Sequence, residues 1–464
     1  MGLALHYLCF YVFGIPLWTD TIAEWIMAHT PSRYAVPILQ MLGPWAKPFA
    51  ITGGLAALGF GLQVIDLLTR RFSKWSLVPV TIAVAAIYGW FFSYYSVGGQ
   101  ISFWLFAAAP LAVPFSLCPQ THDRSIVVGR RRAIVMAAAS IGVAMEGFLR
   151  NRLLAMRAVD PVPVPPVPPP VDRAAFASGL VRKPITPVGE FYGMSKNSVD
   201  PLLNPKVWRL KVTENGRTVR EFTFAELLSL PRTPRFQTLR CISNTLKSDL
   251  MGTAHWSGIF LNQLVDPRTV SSTVQEVAII GVDGHGDSLP LPYAFSDETM
   301  FALAMNGQTL NRDHGFPIRM LVPRYYGLKN VKWISEIAFV DKPYFGTWPR
   351  MGYTKEPLIH TASHVDRYSR QGDMLRVGGV SFAGVRGIQA VQLRSNNGPW
   401  VNATLEPPLS GFTLTRWYGV LPSVPAQAVL QVRAQDGTGA WQSEHETPLF
   451  PNGVDGPTKI KVTS

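Results

Sequence analysis

With 464 residues the chain exceeds one ordinary globular core and, at about 150 residues per unit, suggests about three folding units. Charged residues make up only 16%, low against the roughly 25% of an average soluble protein, while hydrophobic residues reach 47%, so part of the chain is expected in lipid. The 38 prolines and 39 glycines exclude a helical solenoid or coiled coil, and three cysteines exclude a disulfide-stapled scaffold.

The first 150 residues are apolar in runs, at 3–27, 48–68, 77–97, 101–117 and 133–149. A bilayer core takes about 20 helical residues, which predicts about five membrane-spanning helices over 1–150. Arg70, Arg71 and Lys74 follow the second run, and Arg124, Arg130, Arg131 and Arg132 precede the fifth, whereas the turn 96–100 has no charge. The positive-inside rule makes both basic loops cytoplasmic, so everything after residue 150 is expected outside the cytoplasm. These loops account for the net charge of +13, and the polar half carries no basic stripe interleaved with aromatics, which argues against nucleic acid as a partner. Arg131-Arg132-Ala133-Ile134-Val135 has the form of a twin-arginine export signal and equally of an ordinary positive-inside cluster; an uncleaved anchor is the expectation. Runs two to five contain no histidine, which speaks against a bis-histidine haem within the anchor.

Seven prolines in residues 161–170 predict a polyproline II rod inside the linker 151–178, about 30 Å long. The grammar then becomes α+β over 179–350. A strand at 207–213 turns at Asn215-Gly216 and returns over 218–222. Thr223 and Glu226 form a capping box for a short helix that Pro231 stops. Residues 237–240 are a strand running into Cys241, 256–265 are helical in pattern, and 277–282 and 331–340 are strands. Over 351–464, short alternating strands near 389–395, 413–417 and 429–435, parted by Asn397-Gly398, Pro422 and Asp436-Gly437, predict a β-sandwich of immunoglobulin type.

Cys241 is the only cysteine after residue 118. A lone thiol outside the cytoplasm is either a buried small hydrophobe or a metal ligand or nucleophile that coordination protects. A Cys–His hydrolase would draw on His255, His285 or His314. A second cluster, His314-Gly315-Phe316-Pro317-Ile318-Arg319 with Tyr326-Gly327 and Lys332, joins a tight backbone path to two cations able to clamp a phosphate.

These segments resemble a known family. Thr238–Asn244 is similar to the molybdenum-ligand segment of the sulfite oxidase family of molybdopterin enzymes, residues 305–332 resemble its cofactor-binding segment, and Thr186-Pro187 with Phe191-Tyr192 its N-terminal cofactor contact. The C-terminal β-region, with Trp400 and Trp417, resembles the family's immunoglobulin-like domain. The resemblance covers roughly 180–460. It implies an α-helical membrane anchor carrying an α+β molybdopterin-binding domain and an immunoglobulin-like β-sandwich, with molybdenum and molybdopterin as cofactors. Cys241 would ligate the metal. Phe191, Tyr192, Asn244, His314, Arg319, Asn330, Val331 and Lys332 would hold the pterin and its phosphate, and Arg240 and His255 would act beside the metal, with Lys247 and Arg324 as further charged candidates. Leu303 and Leu246 stand where sulfite oxidases carry a tyrosine and a substrate-binding arginine, which leaves the substrate open. The activity implied is oxygen-atom transfer to or from a small or sulfur-containing molecule. Electrons would be exchanged with a separate cytochrome or quinone-linked partner, membrane lipid would surround the anchor, and a homodimer is compatible. The competing expectation is an extracytoplasmic binding or adhesion module that has lost its chemistry.

Overall fold

The structure is a computed structural model and describes residues 179–197, 200–246 and 248–463. The five apolar runs, the Arg131-Arg132 segment, the proline rod and Lys247 lie outside the described residues. Among the described residues no helix is long and apolar enough to cross a membrane.

The strands of the first half are β1 (Arg209–Glu214), β2 (Arg217–Thr223), β3 (Thr233–Arg240), β4 (Met251–Ile259), β5 (Glu276–Gly281), β6 (Gly286–Pro290), β7 (Met300–Met305), β8 (Gln308–Thr309), β9 (Arg319–Leu321) and β10 (Ile334–Val340). They form two sheets, ordered β2-β1-β10-β5-β6 and β3-β4-β7-β8, with β9 also paired to β7. Only the β1–β10 pair among them is parallel.

Local chemistry explains the first elements. Asn215 and Gly216 take φ of 47° and 82°, the positive values a type I′ turn requires at both central positions. In the capping box Thr223 Oγ1 accepts from the Glu226 N–H at 3.2 Å, and Glu226 Oε2 accepts from the Thr223 N–H at 2.6 Å. The helix that follows, α1 (Phe224–Ser229), buries Phe224 and Leu227. Phe224 meets Phe316 edge-on at 5.3 Å, so α1 backs the segment that carries His314 and Arg319.

Residues 256–265 are not helical. Trp256 lies within strand β4, and only Leu261–Gln263 forms a 3-10 turn. Trp256, Ile259, Phe260 and Leu264 mimic a helical spacing because β4 runs between β3 and β7 and is buried along its whole length. A strand covered on both faces loses the polar–apolar alternation that marks a half-buried one. The expected strand 331–340 starts at Ile334, since Trp333 takes a φ of 52° that breaks extended backbone.

The second half contains β11 (Ala362–Gln371), β12 (Met374–Phe382), β13 (Ile388–Ser395), β14 (Val401–Asn402), β15 (Thr404–Leu405), β16 (Thr415–Leu421), β17 (Ala428–Asp436) and β18 (Thr458–Val462). Two four-stranded sheets, β11-β12-β16-β15 and β14-β13-β17-β18, share one core of Leu375, Val377, Leu393, Trp417, Leu430 and Val432. Burial alternates residue by residue along β17, as the sequence predicted for a sandwich strand. The segment 410–414 leaves this sandwich and lies along β3. Thr238 N–H donates to Phe412 O at 2.9 Å, Ser410 Oγ to Phe236 O at 2.7 Å, and Leu414 N–H to Thr238 Oγ1 at 2.9 Å.

Candidate active site

Cys241 stands one residue beyond β3, and its N–H donates to Leu250 O at 2.9 Å, which carries the β3–β4 pairing one step further. The thiol is 6% exposed. Burial pushes it above the ordinary thiol range, opposed by hydrogen bonds from the Ser243 N–H and hydroxyl, the Arg240 charge and the Ile242 N–H. Asn244 braces the loop: its N–H donates to Cys241 O at 3.1 Å, and its Oδ1 accepts from Ser248 Oγ and the Leu250 N–H, both at 3.0 Å.

Alternation along β4 sorts the candidates by face. Gly252, Ala254 and Trp256 share one side. A Cβ at Gly252 would stand 2.7 Å from the Phe191 ring, so glycine is what lets Phe191 lie on the strand. Phe191 meets Trp256 edge-on at 5.8 Å and His314 at 5.5 Å, and it stacks on Tyr192 at 5.5 Å. Arg319 Cζ lies 5.6 Å from the Trp256 ring centre. These four predicted residues form one cluster around Trp256.

The electrostatics of the cluster are unusual. Arg319 is 6% exposed, and burial pushes its guanidinium down to about 10. Among the described residues no carboxylate pairs with it. Its Nη1 reaches only His314 O at 3.4 Å, and its Nε has no partner. His314 Nε2 donates to Val188 O at 3.0 Å, which leaves Nδ1 as a buried lone pair with no partner, and burial depresses the imidazole pKa. The Tyr192 hydroxyl is also buried and without a partner. Burial raises its pKa, as does Cys241, while Arg319 acts in the opposite direction, so this phenol lies within electrostatic reach of both.

Gly327, named in the sequence only as part of a tight backbone path, closes the site from a third direction. A Cβ there would stand 2.8 Å from Tyr192 Oη and 3.6 Å from Cys241 Cα. The 3-10 turn Gly327–Lys329 is pinned by a buried pair, Lys329 Nζ on Asp287 Oδ1 at 2.7 Å, with Ser288 O also at 2.7 Å. Asn330 spans the next loop, accepting from the Val322 N–H at 2.9 Å and donating to Tyr326 O at 3.3 Å. Val331 is fully buried, and Lys332 Nζ donates to Asp313 O at 2.8 Å beside Trp333.

Three charged candidates stand apart. His255 projects from the opposite face of β4 to Trp256 and packs on Phe236 at 4.8 Å. The structure does not bring it to the cluster, because a one-residue step along a strand reverses the side. Arg240, next to Cys241, likewise turns away; its Nη1 donates to His360 O at 3.0 Å, although its charge still acts on the thiol. Arg324 pairs with Glu298 at 3.0 Å.

Among the described residues no group of three or more His, Cys, Asp or Glu side chains converges to hold a metal. A metal on Cys241 therefore draws its other donors from a non-protein group. The unpaired Arg319, the Tyr192 hydroxyl and His314 Nδ1 fit an anionic organic cofactor rich in hydrogen-bonding edges, so donor set and cofactor agree.

The comparisons with known proteins converge on that chemistry. Residues 197–348 match the family described as oxidoreductase molybdopterin binding domain. Over those residues the chain carries a molybdopterin-binding oxidoreductase domain, a molybdenum-cofactor domain similar to that of sulfite oxidases. The chain is 26% identical over 281 residues to sulfite oxidase of Arabidopsis thaliana, covering 49% of this chain and 72% of that protein. It is 28% identical over 199 residues to the mitochondrial sulfite oxidase of Drosophila melanogaster, covering 38% and 34%, so it spans about a third of that relative's length. An uncharacterized oxidoreductase of Bacillus subtilis, YuiH, is 27% identical over 146 residues, covering 32% and 72%. The fold resembles the sulfane dehydrogenase SoxCD of Paracoccus pantotrophus, with a TM-score of 0.54 at 22% identity over 61% of this chain and 82% of that one. Phe191 and Tyr192 lie ahead of the family match, and the sandwich follows it.

Proposed function

We propose that the chain is a membrane-tethered molybdenum-cofactor oxidoreductase that transfers an oxygen atom to or from a small or sulfur-containing substrate outside the cytoplasm. The observation that carries this reading is the pairing of one buried thiol, Cys241, with a buried guanidinium, Arg319, that has no carboxylate of its own. The bound cofactor supplies the two-electron redox chemistry of oxygen-atom transfer; the protein positions it.

Cys241 serves as the protein's ligand. Its proton must leave when it binds metal, and the Ser243 and Ile242 N–H groups with the Arg240 charge favour the thiolate against burial. Arg319 offers a planar fork to a phosphate, and His314 Nδ1 accepts and Tyr192 Oη donates toward the pterin. Lys332 adds positive charge, the main chain at Asn330 and Val331 lines the same loop, and Asn244 holds the Cys241 loop in register. Phe191 and Trp256 exclude water from the cluster. Where the family's substrate handles stand, Leu303 is fully buried in β7 and Leu246 is apolar, so two handles on a small oxyanion are missing, which counts against sulfite itself.

The tether and the side of the membrane are supported by the apolar runs and basic loops of residues 1–150. The immunoglobulin-like reading of the C-terminal half is supported by its strand order, first-second-sixth-fifth against fourth-third-seventh-eighth, the ABED and C′CFG arrangement of that fold. A separate cytochrome or quinone-linked protein exchanges the electrons, and membrane lipid surrounds the anchor.

The test is metal and pterin content of the purified full chain, followed by turnover of sulfoxides, N-oxides and sulfite with artificial electron donors and acceptors. One molybdenum per chain and turnover of at least one of these substrates are expected. A matured preparation with neither metal nor pterin would overturn the reading in favour of a binding module.

A further inference from the structure

Gln237 lies in β3 fully buried, and neither its amide oxygen nor its amide nitrogen has a partner among the described residues. A carboxamide carries one acceptor oxygen and two N–H donors, and dry, unpaired polar atoms in an interior are costly. The Trp256 indole N–H takes the main-chain oxygen of Gln237 at 3.1 Å, so the carboxamide itself serves no neighbour.

Its position says what it can serve. Alternation puts Gln237 on the side of β3 that carries Leu239 and, one step past the strand, Cys241. Across the ladder Leu239 faces Gly252, Gln237 faces Ala254 and Arg235 faces Trp256. Gly252 and Trp256 are the two residues on which Phe191 rests, and Trp256 lies against Arg319. Gln237 thus occupies the row between the metal-ligand end and the anion-binding end, on the face shared by the other unpaired atoms, Tyr192 Oη, His314 Nδ1 and Arg319 Nε.

We propose that the Gln237 carboxamide is a further binding group for the molybdenum cofactor, pairing with an edge of its pterin that presents an N–H beside a carbonyl. The amide oxygen accepts the N–H, and the amide nitrogen donates to the carbonyl. This inference rests on the molybdopterin reading of the site.

A comparison of signs tests it. Methionine matches glutamine in length and volume but has no strong donor or acceptor. In protein from cells unable to make the pterin, Gln237→Met should raise the melting temperature by about 2–4 °C, because nothing is left to satisfy. In the cofactor-loaded protein the same change should lower it, and pterin release, followed by the fluorescence of the freed oxidised pterin, should quicken about tenfold. Gln237→Ala leaves the same cavity in both forms, so its loaded-minus-free difference should carry the same sign even if both forms are weakened. Equal shifts in the two forms, or unchanged release, overturn the assignment of Gln237 alone. A wild-type chain that matures without pterin overturns it together with the reading on which it rests.

Discussion

Arg416 in the sandwich and Arg319 in the catalytic half are 3% and 6% exposed, yet Arg416 meets Glu406 at 2.8 Å while Arg319 meets no carboxylate among the described residues. The sandwich supplies its own counter-charges, as Asp436 does again for Arg386 at 2.8 Å. The catalytic half does so where it is scaffolding, as at Lys329 and Asp287. A buried cation without an anion is expensive to keep. The contrast teaches that charge balance in the scaffold is internal, whereas at Trp256 it is set to be completed by a ligand.

The comparison can be broken at either end. Cys241→Ser should cut turnover by more than about 100-fold, beyond the roughly 10–100-fold that changes around a metal's ligands produce, while pterin stays bound because the clamp is separate. Normal turnover with bound metal would remove the ligand assignment. Glu406→Ala, which strips Arg416 of its carboxylate, should cost about 3–5 kcal/mol in chemical denaturation. Arg319→Ala should leave the cofactor-free protein within about 1 kcal/mol of its original stability, since no ion pair is lost, but lower pterin occupancy. Equal destabilisation by the two changes would erase the distinction.

Asp436 sharpens the sandwich side. Burial pushes its carboxyl up, but hydrogen bonds from Thr438, Arg386 and Thr361 outweigh this and bring it to about 2, below the ordinary 3.8. A depressed carboxyl stabilises the fold fully above its unfolded value and loses that contribution as the pH falls toward the folded one. Asp436→Asn should therefore cost about 1–2 kcal/mol near neutrality and flatten the loss of stability between about pH 4 and 2, read from denaturant midpoints across that range. The smallest effect is expected at His255. Because it faces away from Trp256, His255→Gln should keep turnover within about twofold; a hundredfold loss would return it to the site.

Much of the scaffold could be read from residues with local meaning. Asn215-Gly216 and the Thr223–Glu226 box announce their turn and helix cap because their chemistry is complete within four residues. The strands at 388–395 and 428–436 show themselves because one face is wet. β4 and β7 are concealed, since strands buried on both faces carry no alternation. Phe191, Tyr192, His314 and Arg319 could be named from their resemblance to a family, and the fold gathers them on Trp256. His255 was misleading because two residues before or after a site on a strand share its side and one does not. Gln237 escaped notice for another reason: it matters through what stands opposite it, and no linear pattern records that.

The bonds from Phe412, Ser410 and Leu414 to β3 have a consequence for anyone dividing this protein. They cover the open margin of the strand that delivers Cys241, so the family-matched segment 197–348 ends well before the structure that steadies that cysteine. Trimming the chain to that segment would bare a row of main-chain groups beside the active centre, inviting self-association. The C-terminal third is a splint rather than an appendage.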